Sequence, residues 1–229
     1  MFKQIINVLR NSSLMDRAYQ ISFEMLDKTK VMFDEAKDVL RNTEHSGLSF
    51  DITDEDHVIN KYQRDVRKDV FSHLVVAGNE ELSSGLTLVS IVIDLERIGD
   101  FAKNIVEIAE NYQPKLHGSS YENDLREIEK AVDDVFDKTI IAFRESDEEV
   151  AKEIMKEYKW VPKTCDQILA SLIKGEDTQL NASSAVALAV YIRSLKRIFA
   201  HLRNITTSVV NPFHRIGFKL KKSKKEGSK

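Results

Sequence analysis

Two carboxylates in the middle of the chain stand where they could act together. Glu96 and Asp100 belong to the string Val89-Ser90-Ile91-Val92-Ile93-Asp94-Leu95-Glu96-Arg97-Ile98-Gly99-Asp100. At about 100° per residue, Ile91, Leu95, Ile98, Ala102, Ile105 and Ala109 fall within about 40° of one direction and form a core stripe. Glu96 and Asp100 point about 140–180° away from that stripe, and their i, i+4 spacing makes them neighbours on one helix face. Two such carboxylates repel unless a lysine, water or a multivalent cation sits between them, and hard cations favour oxygen ligands of this kind. The same spacing recurs at Asp34/Asp38, Asp65/Asp69 and Asp133/Asp137 among 37 acidic residues. Alone, it does not separate a site from a solvated face.

Other chemistry is thinly provided for. None of the six histidines stands in the Glu-x-x-His spacing of di-iron carboxylate enzymes. His57 reads as a solvated helix-start residue beside Asp56, and His201 as a packed or rim histidine. Cys165 has no adjacent histidine to form a nucleophilic pair and reads as core. As the sole cysteine it makes no intrachain disulfide, which fits a reducing compartment. No glycine-rich phosphate loop is present.

The elements that must position these residues are helices. Gly and Pro total 11 of 229 residues, so long uninterrupted helices are favoured. Helical periodicity predicts six: about Ser13 to Asn42, Thr53 to Gly78, Asn79 to Tyr112 with Asn79 as its cap, Tyr121 to Arg144, Asp147 to Gly175, and Gln179 to Asn211. Ser46-Gly47 marks one loop, and Pro114 with Gly118 the central break. Phe2, Ile5, Ile6, Val8 and Leu9 form a short helix-like run that reads as a flap over the bundle.

The two halves repeat. Leu26-Asp27-Lys28-Thr29 matches Phe136-Asp137-Lys138-Thr139, Leu95-Glu96-Arg97-Ile98 matches Leu195-Lys196-Arg197-Ile198, and Asn104-Ile105 matches Asn204-Ile205. The expected architecture is all-α, two tandem three-helix bundles: residues 1–114 with a short N-terminal segment, residues 115–218, and a basic tail over 219–229. The repeat is unequal at the acidic pair, because Lys196 and Ala200 stand where the first half has Glu96 and Asp100. Glu157 and Val161 lie near the counterpart of the second-helix acidic element.

The string LERIGDFAKNI resembles the third-helix signature of the PhoU family of phosphate-uptake regulators, close to E-R-I-G-D-H-A-x-N-I. Asp56-His57-Val58-Ile59-Asn60 is similar to that family's D-x-x-x-D or D-x-x-x-N element in the second helix. The six-helix, two-repeat plan extends the resemblance over nearly the whole chain. It implies a surface site for a multinuclear iron or zinc cluster on the first bundle, held by Glu96, Asp100, Asp56 and Asn60. Lys196 argues against a cation at the matching place in the second. It also implies a regulatory binding protein, not an enzyme, that docks on a phosphate transporter (an ABC importer or a sodium-phosphate symporter) or on a sensor histidine kinase. Self-association into a homo-oligomer is allowed. The rival readings are a metal-free helical adaptor and a carboxylate-bridged metalloenzyme, the latter requiring inward ligands that the helical wheel of Glu96 and Asp100 contradicts.

Charge distribution narrows the partners. Residues 219–229 carry six lysines and one glutamate, or +5, so a net charge of −3 leaves −8 for the rest. An acidic body disfavours nucleic acid, where affinity comes from neutralising phosphates. The tail's lysines suit a solubilising terminus or contact with anionic lipid or an acidic partner. Membrane contact is therefore expected to be peripheral, through a partner or the tail. No stretch approaches the ~20 apolar residues of a membrane span, and Met1–Arg10 lacks signal-peptide form, so the chain reads as cytoplasmic.

Overall fold

Few helix breakers and repeated apolar stripes give long helices that must pack against one another. The computed structural model describes residues 2–43, 47–112 and 115–219, with residues 2–13 and Gly78 described by their backbone alone. Among these residues there are seven α-helices and no strand: α1 (Phe2–Arg41), α2 (Ile52–Ala77), α3 (Leu82–Asn111), α4 (Glu122–Glu145), α5 (Glu148–Glu157), α6 (Trp160–Lys174) and α7 (Ala182–Val210). Helices α1 to α3 form one bundle, and α4 to α7 form a second in which α5 and α6 together take the place of α2.

Two boundaries differ from the sequence expectation. The helix expected from Asp147 to Gly175 is broken at Tyr158–Lys159. Pro162 is the physical reason: it has no N–H and its ring would clash with the carbonyl of Tyr158, whereas the first turn of a new helix tolerates it. At the N-terminus, the backbone from Phe2 to Arg41 is one uninterrupted helix, so the segment read as a separate flap is the first part of α1. The side chains of that segment lie outside the described residues. Asn79 does not cap α3 as the sequence suggests: α3 begins at Leu82, its N-cap position is Glu81, and no side chain caps it. A 3-10 turn over Gly78–Glu81 precedes α3.

Helix ends obey their local chemistry. Asp51 accepts hydrogen bonds from the backbone N–H groups of Thr53 (2.8 Å) and Asp54 (3.3 Å). Asp147 accepts from Glu149 and Val150, and Asn181 from Ser184. Gly175 ends α6 in the left-handed conformation at φ 65°.

The predicted core stripe is buried: Ile91, Leu95, Ile98, Ala102 and Ile105 are fully enclosed and Ala109 nearly so. Its second-repeat counterpart is buried likewise, with Tyr191, Leu195, Ile198, Leu202 and Ile205 inaccessible. Matched first helices pack antiparallel across the bundles. Phe33 stacks on Phe136 at 5.8 Å, Lys37 bonds Asp133 at 2.6 Å, and Arg144 reaches Asp27 at 2.7 Å. Matched last helices do the same, Tyr112 meeting Ser184 at 3.0 Å and Asp94 meeting Asn204 at 2.9 Å. Antiparallel packing of equivalent helices relates the repeats by an approximate twofold rotation.

One buried cation secures the junction. Arg41, at the end of α1, donates to Glu122 (2.6 Å) and the Leu116 carbonyl, and lies 2.9 Å from Glu129. The hydroxyl of the buried Tyr191 donates to Glu129 at 2.7 Å. Arg41 thereby joins α1 to α4, α7 and the segment between bundles.

Candidate functional site

Helices α2 and α3 run antiparallel. Leu74 packs so closely on Gly85 that a Cβ there would lie 2.8 Å from the leucine side chain, and Ile59 packs on Gly99. Further along, Lys103 Nζ stands 3.6 Å from Asp56 Oδ2. This register sets Gln63 level with Glu96, Asn60 level with Gly99, and Asp56 level with Lys103. All four residues expected from the sequence therefore line one groove.

They do not converge on a point. Asp56 sits beside Lys103, seven residues beyond Glu96, or roughly two turns and 10 Å along the helix. Asp100 lies between them, and Asn60 Nδ2 donates to Asp56 Oδ2 at 3.2 Å. Among the described residues, no three His, Cys, Asp or Glu side chains are grouped so as to hold one metal ion.

The carboxylates are also less solvated than the helical wheel implies. The Glu96 side chain is 15% exposed and that of Asp56 only 9%. The neighbouring helix α2 covers what the wheel of an isolated α3 leaves open. Burial pushes the Glu96 carboxyl above its ordinary range, and Asp100 and Asp56 push it further, against the pull of Arg97 and Arg67. Asp56 Oδ1 is buried and makes no hydrogen bond to a described residue.

Two cations that sequence reasoning passed over offset part of this charge. Arg97 Nη1 donates to Asp100 Oδ2 at 3.0 Å, and its Nε lies 3.5 Å from Glu96. Lys103 does the same for Asp56. Both stand inside the LERIGDFAKNI string, so the signal was there, but only the α2–α3 register assigns Lys103 to Asp56. The donor set is all oxygen, which suits hard cations in kind.

The second bundle turns the same groove over in charge. Lys196 pairs with Asp166, which sets the α6–α7 register and brings Lys159 level with Arg203. Lys159, Lys163 and Arg203 thus occupy the places of Asp56, Asn60 and Lys103. The sequence comparison had put Glu157 and Val161 near those places. Glu157 instead ends α5 and Val161 is fully buried. The Tyr158–Lys159 break shifts the register, which a comparison assuming one continuous helix does not capture.

Between the bundles, His201 Nδ1 lies 2.7 Å from Asp94 Oδ1 and its Nε2 lies 3.3 Å from Arg197 Nη2. With Arg197 donating, Nε2 accepts and Nδ1 carries the proton given to Asp94. The ring stacks on Phe101 at 5.8 Å. His201 is a packed histidine, as its surroundings in sequence suggested. Cys165 is buried, and burial pushes its thiol up to about 12, which removes it as a nucleophile near neutral pH. His57 is exposed.

Comparison with known proteins agrees with the repeat. The model of the PhoU domain family matches twice, over residues 23–109 and 125–209. The phosphate-specific transport system accessory protein PhoU homolog of Pseudomonas aeruginosa is 27% identical over 170 residues, 72% of this chain and 69% of that protein. The protein of the same name from Pseudomonas putida is 26% identical over 170 residues, covering 72% of this chain and, just under two thirds, 66% of its own length. Among solved structures, PhoU from P. aeruginosa superposes with a TM-score of 0.75 at 23% identity, over 87% of this chain and 96% of that one. The phosphate transport system regulatory protein PhoU from Streptococcus pneumoniae gives a TM-score of 0.69 at 18% identity, over 89% and 95%. At these identities the two structures speak for the fold.

Proposed function

This chain belongs to the PhoU family, and on that premise we propose that it is an accessory regulator of phosphate-specific transport. The observation that carries this reading is the double match of the family model, one copy on each bundle. The names of its relatives supply the biological setting. In this reading the chain docks on a phosphate transporter, an ABC importer or a sodium-phosphate symporter, or on the sensor kinase that reports phosphate. Long helices suit that role by offering rigid faces to a partner. The test is phosphate uptake in cells lacking the chain. Altered uptake, restored by supplying the chain in trans, is the expected result. Uptake and phosphate-responsive expression unchanged by its loss sink the reading.

The α2–α3 groove gives this regulator a place for iron or zinc. Asp56, Asn60, Glu96 and Asp100 would hold the ions, with Lys103 and Arg97 displaced outward. Bound metal would supply fixed positive charge that joins the two helices. The unpartnered Oδ1 of Asp56 and the raised carboxyl of Glu96 support this. A metal-free adaptor is the second reading, favoured by the pairing of Lys103 and Arg97 with the same carboxylates. Elemental analysis of protein purified without chelator or nickel resin separates the two. Glu96→Gln with Asp100→Asn is expected to abolish retained metal and preserve helicity, and Lys196→Ala to change neither. Metal retained after the double change removes the site from the groove.

A further inference from the structure

Helices α3 and α7 meet in two equivalent grooves, one at each end of their contact, and the chain itself fills one of them. After α7 it turns back through Pro212 and a 3-10 turn over Phe213–Arg215 that packs on both α3 and α7. Three residues at i, i+3 and i+7 on one face of α7 hold this segment. Asn211 Nδ2 donates to the carbonyls of Arg215 (3.1 Å) and Phe218 (2.8 Å). Thr207 Oγ1 accepts from the Gly217 N–H at 2.7 Å. Asn204 lies so near that a Cβ at Gly217 would stand 3.1 Å from its Oδ1. Ile216 packs against the hydrophobic core.

The approximate twofold, at the offset of 100 between the matched last helices, carries these three positions onto Asn104, Glu107 and Asn111 of α3. All three line a groove of about 770 Å³ between the end of α3 and the start of α7, together with Ile108, Val186 and Val190. No described segment follows α3 back over it. The chain runs instead to the end of α1, where the Leu116 N–H donates to the Leu40 carbonyl at 3.0 Å. Val186 is therefore 64% exposed and Val190 44%. Asn111 Nδ2, with no returning carbonyl to meet, donates to the Glu107 carbonyl of its own helix at 2.7 Å.

The differences between the grooves refine what the open one takes. Val190 and Ile108 stand where the filled groove has Ser90 and Ser208, so the open one is the more apolar. Glu107 stands in place of Thr207. Its carboxylate is a stronger acceptor for a backbone N–H than a hydroxyl is, and it has no cationic partner among the described residues.

We propose that the groove at Asn104, Glu107 and Asn111 receives a short, non-helical segment of a partner protein built like residues 212–217 of this chain. Such a segment carries two apolar side chains three residues apart, as Phe213 and Ile216 are, with a basic residue beside them to face Glu107. Its turn offers carbonyls to Asn111 and an N–H to Glu107. A partner is favoured over a second copy because the chain's own segment of this kind is already tied to Asn211 and Thr207. The inference goes beyond the transport reading and does not rest on it.

The probe is a synthetic peptide with the sequence of residues 211–218, which contains His214 and Arg215, amidated and bearing a fluorescent label at its N-terminus. Fluorescence anisotropy follows its titration with the full chain. Saturable binding below about 1 mM is expected. Val186→Ser with Val190→Ser alters exposed side chains only, so helicity is kept, and binding weakens roughly tenfold. Phe213→Ser or Ile216→Ser in the peptide weakens it to a similar extent. Glu107→Gln weakens binding about two- to fivefold at low salt and less at high salt. Absence of saturable binding overturns the proposal. So does binding unaltered by the Val186/Val190 double change, since the peptide would then be displacing the chain's own segment at the other end. Concentration-dependent self-association of the parent, lost in that double variant by analytical ultracentrifugation, assigns the groove to a second copy and overturns it equally. These readouts involve neither transporter nor metal, so their failure leaves the transport reading standing.

Discussion

The first bundle carries an acidic groove between its second and third helices, and the second bundle carries a basic one in the matching place. Beneath them the matched first and last helices share core positions. Leu95 and Leu195 are both inaccessible, and so are Thr29 and Thr139, whose hydroxyls donate to carbonyls three and four residues back. What differs is what lines the grooves: Asp56, Asn60, Glu96 and Lys103 against Lys159, Lys163, Lys196 and Arg203. Packing tolerates little change in volume, whereas a surface charge reverses at small cost. The comparison teaches that a duplicated bundle kept its interior and diverged at its grooves, so each groove has its own ligand chemistry to explain.

The most forceful way to break the comparison is through the shared interior. Leu95→Ala and Leu195→Ala each remove a fully buried side chain, and each is expected to cost about 2–5 kcal/mol in denaturant unfolding. A large loss at one and almost none at the other would mean that the two cores are not equivalent.

The next test concerns an anchor with no twin. At the repeat offset of 110, the place of Arg41 falls beyond the end of α4 at Glu145, so the second repeat has no arginine there to return the contact. Burial pushes the Glu122 carboxyl up, but Arg41, the Gly118 N–H and Arg126 outweigh it and hold it down at about 2. A carboxyl lowered on folding contributes stability above its unfolded pKa, and the contribution is lost as pH falls through the folded one. Stability is therefore expected to drop by on the order of 3 kcal/mol between about pH 4.5 and pH 2 from this group. Glu122→Gln should flatten that part of the profile of unfolding free energy against pH. An unchanged acid limb would release Arg41 from its role at the junction.

How far the sequence carried this reading depends on whether one helix or two were needed. The core stripe of α3 was legible because it is a property of one helix repeating at 3.6 residues. The repeat was legible because Leu95/Leu195 and Thr29/Thr139 keep both identity and order. The break before Pro162 was passed over because apolar periodicity runs on through it, although the proline itself was the signal. The groove was only half legible. Glu96 and Asp100 stood out by the family-like string that contains them, their spacing alone being shared with three other pairs, but their burial, the place of Lys103 beside Asp56 and the match of Lys159 with Asp56 depend on the register between helices. No single-helix pattern contains that register.

The smallest expected effect is the one that sets the grooves furthest apart. Without metal, Glu96 holds its negative charge near Asp100 and Asp56 in a mostly buried place, and its carboxyl is raised by burial and those neighbours. A carboxyl raised on folding binds its proton more tightly in the native state. Its ionised form therefore costs stability, and the cost grows as pH rises from the unfolded pKa through the folded one. Glu96→Gln keeps the shape and removes the charge. The metal-free variant is expected to be more stable than the parent by a few tenths of a kcal/mol at pH 7, the scale of one like-charge i, i+4 contact, and no more stable at pH 4. Lys196→Gln should do the reverse, leaving Asp166 unpaired and costing up to about 1 kcal/mol. Added iron or zinc should invert the first result alone, stabilising the parent over Glu96→Gln, because a ligand of the native state adds stability in proportion to its occupancy. Denaturant unfolding of the parent and both variants, at two pH values with and without metal, reads all of this. Metal that stabilises parent and Glu96→Gln alike would show that Glu96 is not among its ligands. Equal responses at positions 96 and 196 would erase the difference between the grooves.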